Sequence, residues 1–209
     1  MVKSPVHISK MTGKLDSLRS ISTNTVTNKF CNDMHNAKAE TICKVCYSHA
    51  MLNGFRKNCQ ASLQRNSDLL SKQLLSADEL PVIKDKVFRF NAHGELLNMR
   101  HLLNLIAIVR HNPDTLFTLW TKRKDLINRL FKYELSEKPD NMILIFSNPK
   151  GSNIIPEHKM PKHFDKTFNN VLEHEAVPYQ NCTGQQCKDC LLCYTHGTTP
   201  TIVEKVKAY

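Results

Sequence analysis

Seven of the eight cysteines fall into two groups whose spacing suits metal ligation. The first is Cys31, Cys43 and Cys46; the second is Cys182, Cys187, Cys190 and Cys193, spaced C-x4-C-x2-C-x2-C. Thiolates are soft ligands, and a C-x2-C pair can turn two of them towards one centre across a tight turn. Three thiolates around a four-iron cluster leave one iron open to a small molecule, whereas four can close a site. The N-terminal set is therefore expected to hold a [4Fe-4S] cluster. The C-terminal four would hold a second centre or lend one ligand to the first. Cysteines at successive third positions suit a cluster better than zinc, which more often takes separated pairs, but zinc stays as the alternative metal there. Cys59 shares helical spacing with Leu52, Phe55 and Leu63, which reads as a buried, inert thiol.

Other polar candidates stand near strand ends. Glu95 follows Gly94 in the turn Asn91-Ala92-His93-Gly94-Glu95. Its carboxylate suits a cationic ligand group or, equally, the start of the next helix. His35, His49, His163, His174 and His196 have no spacing that compels ligation and read as surface or core residues. Arg56, Arg65, Arg89 and Arg100 could pair with carboxylates or phosphates but read by default as solvated or helix-surface residues, and Trp120 reads as packing at a sheet edge ahead of stacking on a nucleotide or base.

The chain of 209 residues carries 29 basic and 19 acidic residues, a formal charge of +10. Such a balance attracts nucleic acid non-specifically, although the basic residues are dispersed and Lys122-Arg123-Lys124 is the densest run. A solvated surface is favoured over a nucleic-acid site. No apolar stretch is long enough for a bilayer, and the first residues show no apolar signal core. No membrane partner and a reducing, cytoplasmic location are expected, which favours metal binding over disulfides.

The elements that must position these groups alternate. Strands are predicted at 20–27, 86–90, 115–120 and 142–146. Helices are predicted at 50–75, from Met99 to a stop at Asn112-Pro113, around Leu126 to Phe131, and after Pro161 through Phe164, Phe168, Val171 and Leu172. Such alternation argues for a parallel α/β sheet whose loops gather ligands at its carboxyl edge. The simplest organisation is one α/β domain over 1–178 with a cysteine-rich C-terminal extension over 179–209.

Two resemblances bear on this. Cys31…Cys43-Lys44-Val45-Cys46-Tyr47, Arg89-Phe90…His93-Gly94-Glu95 and Cys182…Cys187…Cys190…Cys193-Tyr194 resemble the phage gene-product eighty-eight family of small cysteine-rich proteins. That resemblance implies a viral origin, hence a host-cell cytoplasm, and a metal site, with an unidentified host protein or small molecule as partner. Cys43-x2-Cys46-Tyr47 and Gly94-Glu95 are in part similar to radical S-adenosylmethionine enzymes. This second likeness implies a partial TIM-like (β/α) barrel. Cys31, Cys43 and Cys46 would then be cluster ligands, and Tyr47, Gly94 and Glu95 would lie beside bound S-adenosylmethionine. The combined expectation is a viral iron–sulfur protein, radical S-adenosylmethionine-like if an enzyme. The alternative is a zinc-stabilised nucleic-acid-binding or host-interaction protein.

Overall fold

A computed structural model describes residues 4–206 apart from 136, 178 and 198. Seven strands form one open sheet in the order of the sequence. They are β1 (Ser9–Lys10), β2 (Arg19–Ile21), β3 (Val87–Phe90), β4 (Leu116–Thr121), β5 (Met142–Ser147), β6 (Lys166–Leu172) and β7 (Thr201–Val206). β1 runs antiparallel to β2, and every later pair is parallel. The helices are α1 (Lys29–His35), α2 (Tyr47–Asn53), α3 (Gln60–Lys72), α4 (Met99–His111), α5 (Lys124–Tyr133) and the short α6 (Cys187–Cys190). None is long and apolar enough to cross a membrane.

Strand alternation divides the core into two layers. Phe88 and Phe90 of β3, Phe117 and Leu119 of β4, and Met142, Leu144 and Phe146 of β5 face one way. They pack against Leu70 of α3, five apolar residues of α4, and Leu126, Ile127 and Leu130 of α5. Each fully buried side chain of this kind stabilises by roughly 1.5–3 kcal/mol. The opposite face carries Trp120, Ile143 and Ile145. It is covered by both ends of the chain: Met11, Leu15 and Leu18 from the N-terminal strap, and Tyr194, Cys187, Leu191 and Cys193 from the crossover between β6 and β7. Parallel strands laid down in sequential order, with crossovers of one hand, carry their helices on one face. That leaves the other face to the N-terminal strap and the cysteine-bearing crossover. The expected C-terminal extension thus contributes β7 to the sheet.

Three expectations are corrected. The helix predicted over 50–75 is broken. Gly54 lies outside helical geometry (φ −107°, ψ −125°), a single 3-10 turn covers Lys57–Cys59, and α3 begins at Gln60. Phe55 and Cys59 are exposed as a result, so Cys59 is not the buried thiol its spacing suggested. The helix predicted after Pro161 is strand β6, because pairing with both β5 and β7 outweighs a chance 3–4 apolar spacing. The strand predicted at 20–27 ends after Ile21, and 22–28 is a polar loop.

Candidate functional site

The loop after β2 is knitted to the loop after β3. The Thr23 amide donates to the His93 carbonyl at 3.1 Å, and the Gly94 amide donates to Thr25 Oγ1 at 2.8 Å. Gly94 has φ +80°, and a Cβ there would meet Thr23 Oγ1 at 2.2 Å and the Thr23 carbonyl oxygen at 2.6 Å. Only glycine permits this approach. Asn28 then links both loops to the first cysteine. Its Oδ1 caps α1 by accepting from the Cys31 amide at 3.2 Å, while its Nδ2 donates to the Glu95 carbonyl at 2.9 Å.

Cys31 lies in the first turn of α1, Cys43 in a 3-10 turn (Ile42–Val45), and Cys46 at the start of α2. The loop carrying Cys43 reaches across the sheet edge, where the Ile42 amide donates to the Pro149 carbonyl at 2.8 Å beyond β5. His35 Nδ1 lies 2.9 Å from the Cys43 carbonyl, and its ring stacks on His49 at 3.9 Å. All three thiols line one cavity of about 860 Å³ at the carboxyl edge of the sheet, together with Tyr47, Gly94, Glu95, Arg89, Trp120, Lys122 and Cys182.

Lys122 was expected on a solvated basic run, yet it sits inside this cavity and donates from Nζ to Ser147 Oγ at 2.8 Å. Burial opposes its charge, but Cys43, Glu95, Cys46 and Cys31 around it outweigh burial and raise its pKa. Burial pushes the Cys31 thiol up, with Glu95 and Cys46 adding to the shift and Lys122 opposing it; Cys43 is raised by burial against the pull of Lys122. The three thiols and Lys122 therefore share one electrostatic environment. Among the described residues, no three His, Cys, Asp or Glu side chains close round a point as a single ion requires.

Glu95 is buried and fully engaged on one oxygen. Oε1 accepts from Thr121 Oγ1 at 2.6 Å and the Leu96 amide at 2.7 Å, and Oε2 accepts from the Lys122 amide at 2.7 Å. Tyr47 is 41% exposed, and its hydroxyl donates to the Ala92 carbonyl. Buried His93 meets Ser48 Oγ through Nδ1 at 2.8 Å, and burial with the charges of Arg56 and Arg89 lowers its pKa to about 4.

The second cysteine group is distributed differently. All eight cysteines are free thiols. Cys182 lines the cavity beside Glu204, which pairs with Lys14 of the N-terminal strap. Cys187 and Cys193 pack against the apolar face, and Cys190 is exposed. Cys193 is pushed up to about 12 by burial, with Arg89 opposing and the other three thiols of its group reinforcing. Nearby Lys166 is only 1% exposed, donates to the Thr199 carbonyl at 3.1 Å, and is lowered by burial while Cys193 pulls it back.

The sequence gives no signal for the strap Met11–Leu15, and its default reading leaves Arg89 and Lys122 in solvent. Arg89 is not a surface cation. It stands on β3, its guanidinium carbon 4.0 Å from the Trp120 ring centre, with Nε buried and without a hydrogen-bond partner. The strand alternation Phe88-Arg89-Phe90 was the signal available: one charge between two core aromatics faces the other side of the sheet.

The family model described as Gene product 88 matches residues 7–173. The chain belongs to that family. The match spans the first three cysteines, Arg89, Gly94, Glu95, Trp120 and Lys122, and ends before Cys182. No curated protein and no solved structure matches the chain.

Proposed function

We propose that this family member is an iron–sulfur protein in which Cys31, Cys43 and Cys46 hold a [4Fe-4S] cluster at the carboxyl edge of the sheet. One observation carries the reading: three thiols from separate local elements line a single cavity with Lys122 among them. The donor set is all sulfur on three sides, which suits iron in a cluster, and a cube of four irons needs ligands more widely set than one ion does. Lys122 offsets the negative charge such a centre brings. The C-terminal four would bind a second centre, or give Cys182 to the first, with Lys166 as a buried counter-charge.

The sequential parallel strands and one-sided helices support a partial TIM-like barrel, and the placement of Cys31–Cys46 after β2 and Gly94–Glu95 after β3 supports a radical S-adenosylmethionine-like enzyme. A bound cluster with one iron lacking a cysteine supplies one-electron transfer and a coordination position. Glu95 retains acceptor capacity on Oε2 for a cationic ligand group. Trp120 and the strap Met11–Leu15 wall the cavity against water. A phage origin and a host-cell setting belong to the same proposal.

The test is anaerobic purification. Brown protein absorbing broadly near about 400 nm, containing iron and sulfide, is expected. Colourless protein with stoichiometric zinc would overturn it in favour of a zinc-stabilised binding protein. Reductive cleavage of added S-adenosylmethionine to 5′-deoxyadenosine separates an enzyme from a cluster-binding protein.

A further inference from the structure

We propose that Arg89 anchors a binding site for a small molecule bearing a carboxylate or a phosphate, on the Trp120 wall of the same cavity. The inference does not depend on the cluster. Register places Arg89 opposite Thr118, so Trp120 falls two residues further along β4 on the same face. The indole holds one face of the guanidinium at 4.0 Å, and Arg89 lines the cavity. Nε is buried without a hydrogen-bond partner beside the likewise unpartnered Tyr194 hydroxyl, and no carboxylate among the described residues lies within ion-pair distance of Arg89.

Two of the three carboxylates that line the cavity are committed elsewhere, and the third, Glu173, is exposed. Glu204 pairs with Lys14, and Glu95 accepts from Thr121, Leu96 and Lys122. A guanidinium held inside the fold without a carboxylate partner is costly unless an anion reaches it from the cavity. Its planar fork matches the two oxygens of a carboxylate or phosphate. Lys122, at the end of the neighbouring strand, adds a second cation whose Nζ meets only a neutral hydroxyl at hydrogen-bond distance. The cavity volume of about 860 Å³ falls in the usual range for small-molecule sites. The rival role for Arg89 is to offset the Tyr194 and Tyr47 hydroxyls and the thiols of Cys193 and Cys187, which lie within its field.

Calorimetric titration of the full-length protein with succinate and with inorganic phosphate, at constant ionic strength against chloride, tests this. Saturable one-to-one binding of at least one probe is expected, with a change in the emission of Trp120, the single tryptophan. The probe that binds identifies the anion. Arg89→Gln should weaken that binding about tenfold or more, the size of a lost charged hydrogen bond. Should that variant fail to fold, Arg89→Lys, which keeps the charge without the fork, is expected to weaken it several-fold. Absence of binding by either probe overturns the site, as does unchanged affinity in the variant. Loss of metal from Arg89→Gln, with no anion bound by the unsubstituted protein, would assign Arg89 to the thiols instead.

Discussion

The Lys122 amide donates to Glu95 Oε2 at 2.7 Å, tying the residue after β4 to the loop after β3. With Thr121 Oγ1 and the Leu96 amide on the other oxygen, the carboxylate stitches two strand ends at the cavity wall. Glu95→Gln places an amide N–H against one of these donors. A loss of about 2–3 kcal/mol is expected in denaturant unfolding, because hydrogen bonds to a buried charge are the strong ones. A variant as stable as the parent would mean that Glu95 is not a structural stitch.

Gly94→Ala should be among the most damaging single changes. It combines a left-handed backbone with a contact of 2.2 Å to Thr23 Oγ1. Strain and overpacking together predict a loss of about 3 kcal/mol or insoluble expression. Thermal unfolding measured alongside Gly151→Ala, where a Cβ meets nothing within 4 Å, isolates the effect.

Thiol reactivity should separate the cysteines. In metal-free, unfolding-free conditions Cys59 and Cys190, both exposed, are expected to react with a chromogenic disulfide well before Cys31 and Cys193, which burial keeps protonated. Cys59→Ser should leave iron content unchanged, whereas Cys31→Ser should lower it. The reverse pattern would redraw the ligand set.

Lys166→Met discriminates between loaded and empty protein. In metal-free protein, removing a buried charge with one carbonyl partner should be neutral or stabilising by about 1 kcal/mol. In iron-loaded protein the same change should destabilise, since the counter-charge near Cys193 is gone. Equal effects in both states would remove Lys166 from the electrostatics of the second group.

Acid should destabilise the fold through His101. It is 1% exposed on α4, and burial lowers its pKa to about 3, against 6.5 in the unfolded chain. The unfolded state binds the proton first, so stability is present above pH 6.5 and is lost as pH falls towards 3. About 2 kcal/mol should disappear between pH 7 and pH 5 from this residue alone. His101→Gln should flatten that part of the stability profile, followed by urea unfolding at each pH.

The elements from 86 to 147 were legible because each is pure in period. Phe88/Phe90 and Phe117/Leu119 alternate, while Leu102, Leu105, Ile106 and Val109 recur as a helix face ending at Asn112. β6 was not legible, since Lys166, Asn169 and Asn170 are polar yet buried, and only its two neighbouring strands make that tolerable. Cys31, Cys43 and Cys46 could be picked out by type and spacing. The place of Lys122 and Arg89 in the cavity could not, because it depends on the register of β3 with β4 and on two segments from opposite ends of the chain.

Lys14 and Glu204 meet across the mouth of the cavity, and Cys182 lies beside them. A wall built from both early and late parts of the polypeptide cannot assemble while the chain is still emerging from the ribosome. The pocket's full lining therefore exists only after translation has passed residue 204, well after the residues that carry the first three cysteines have been made.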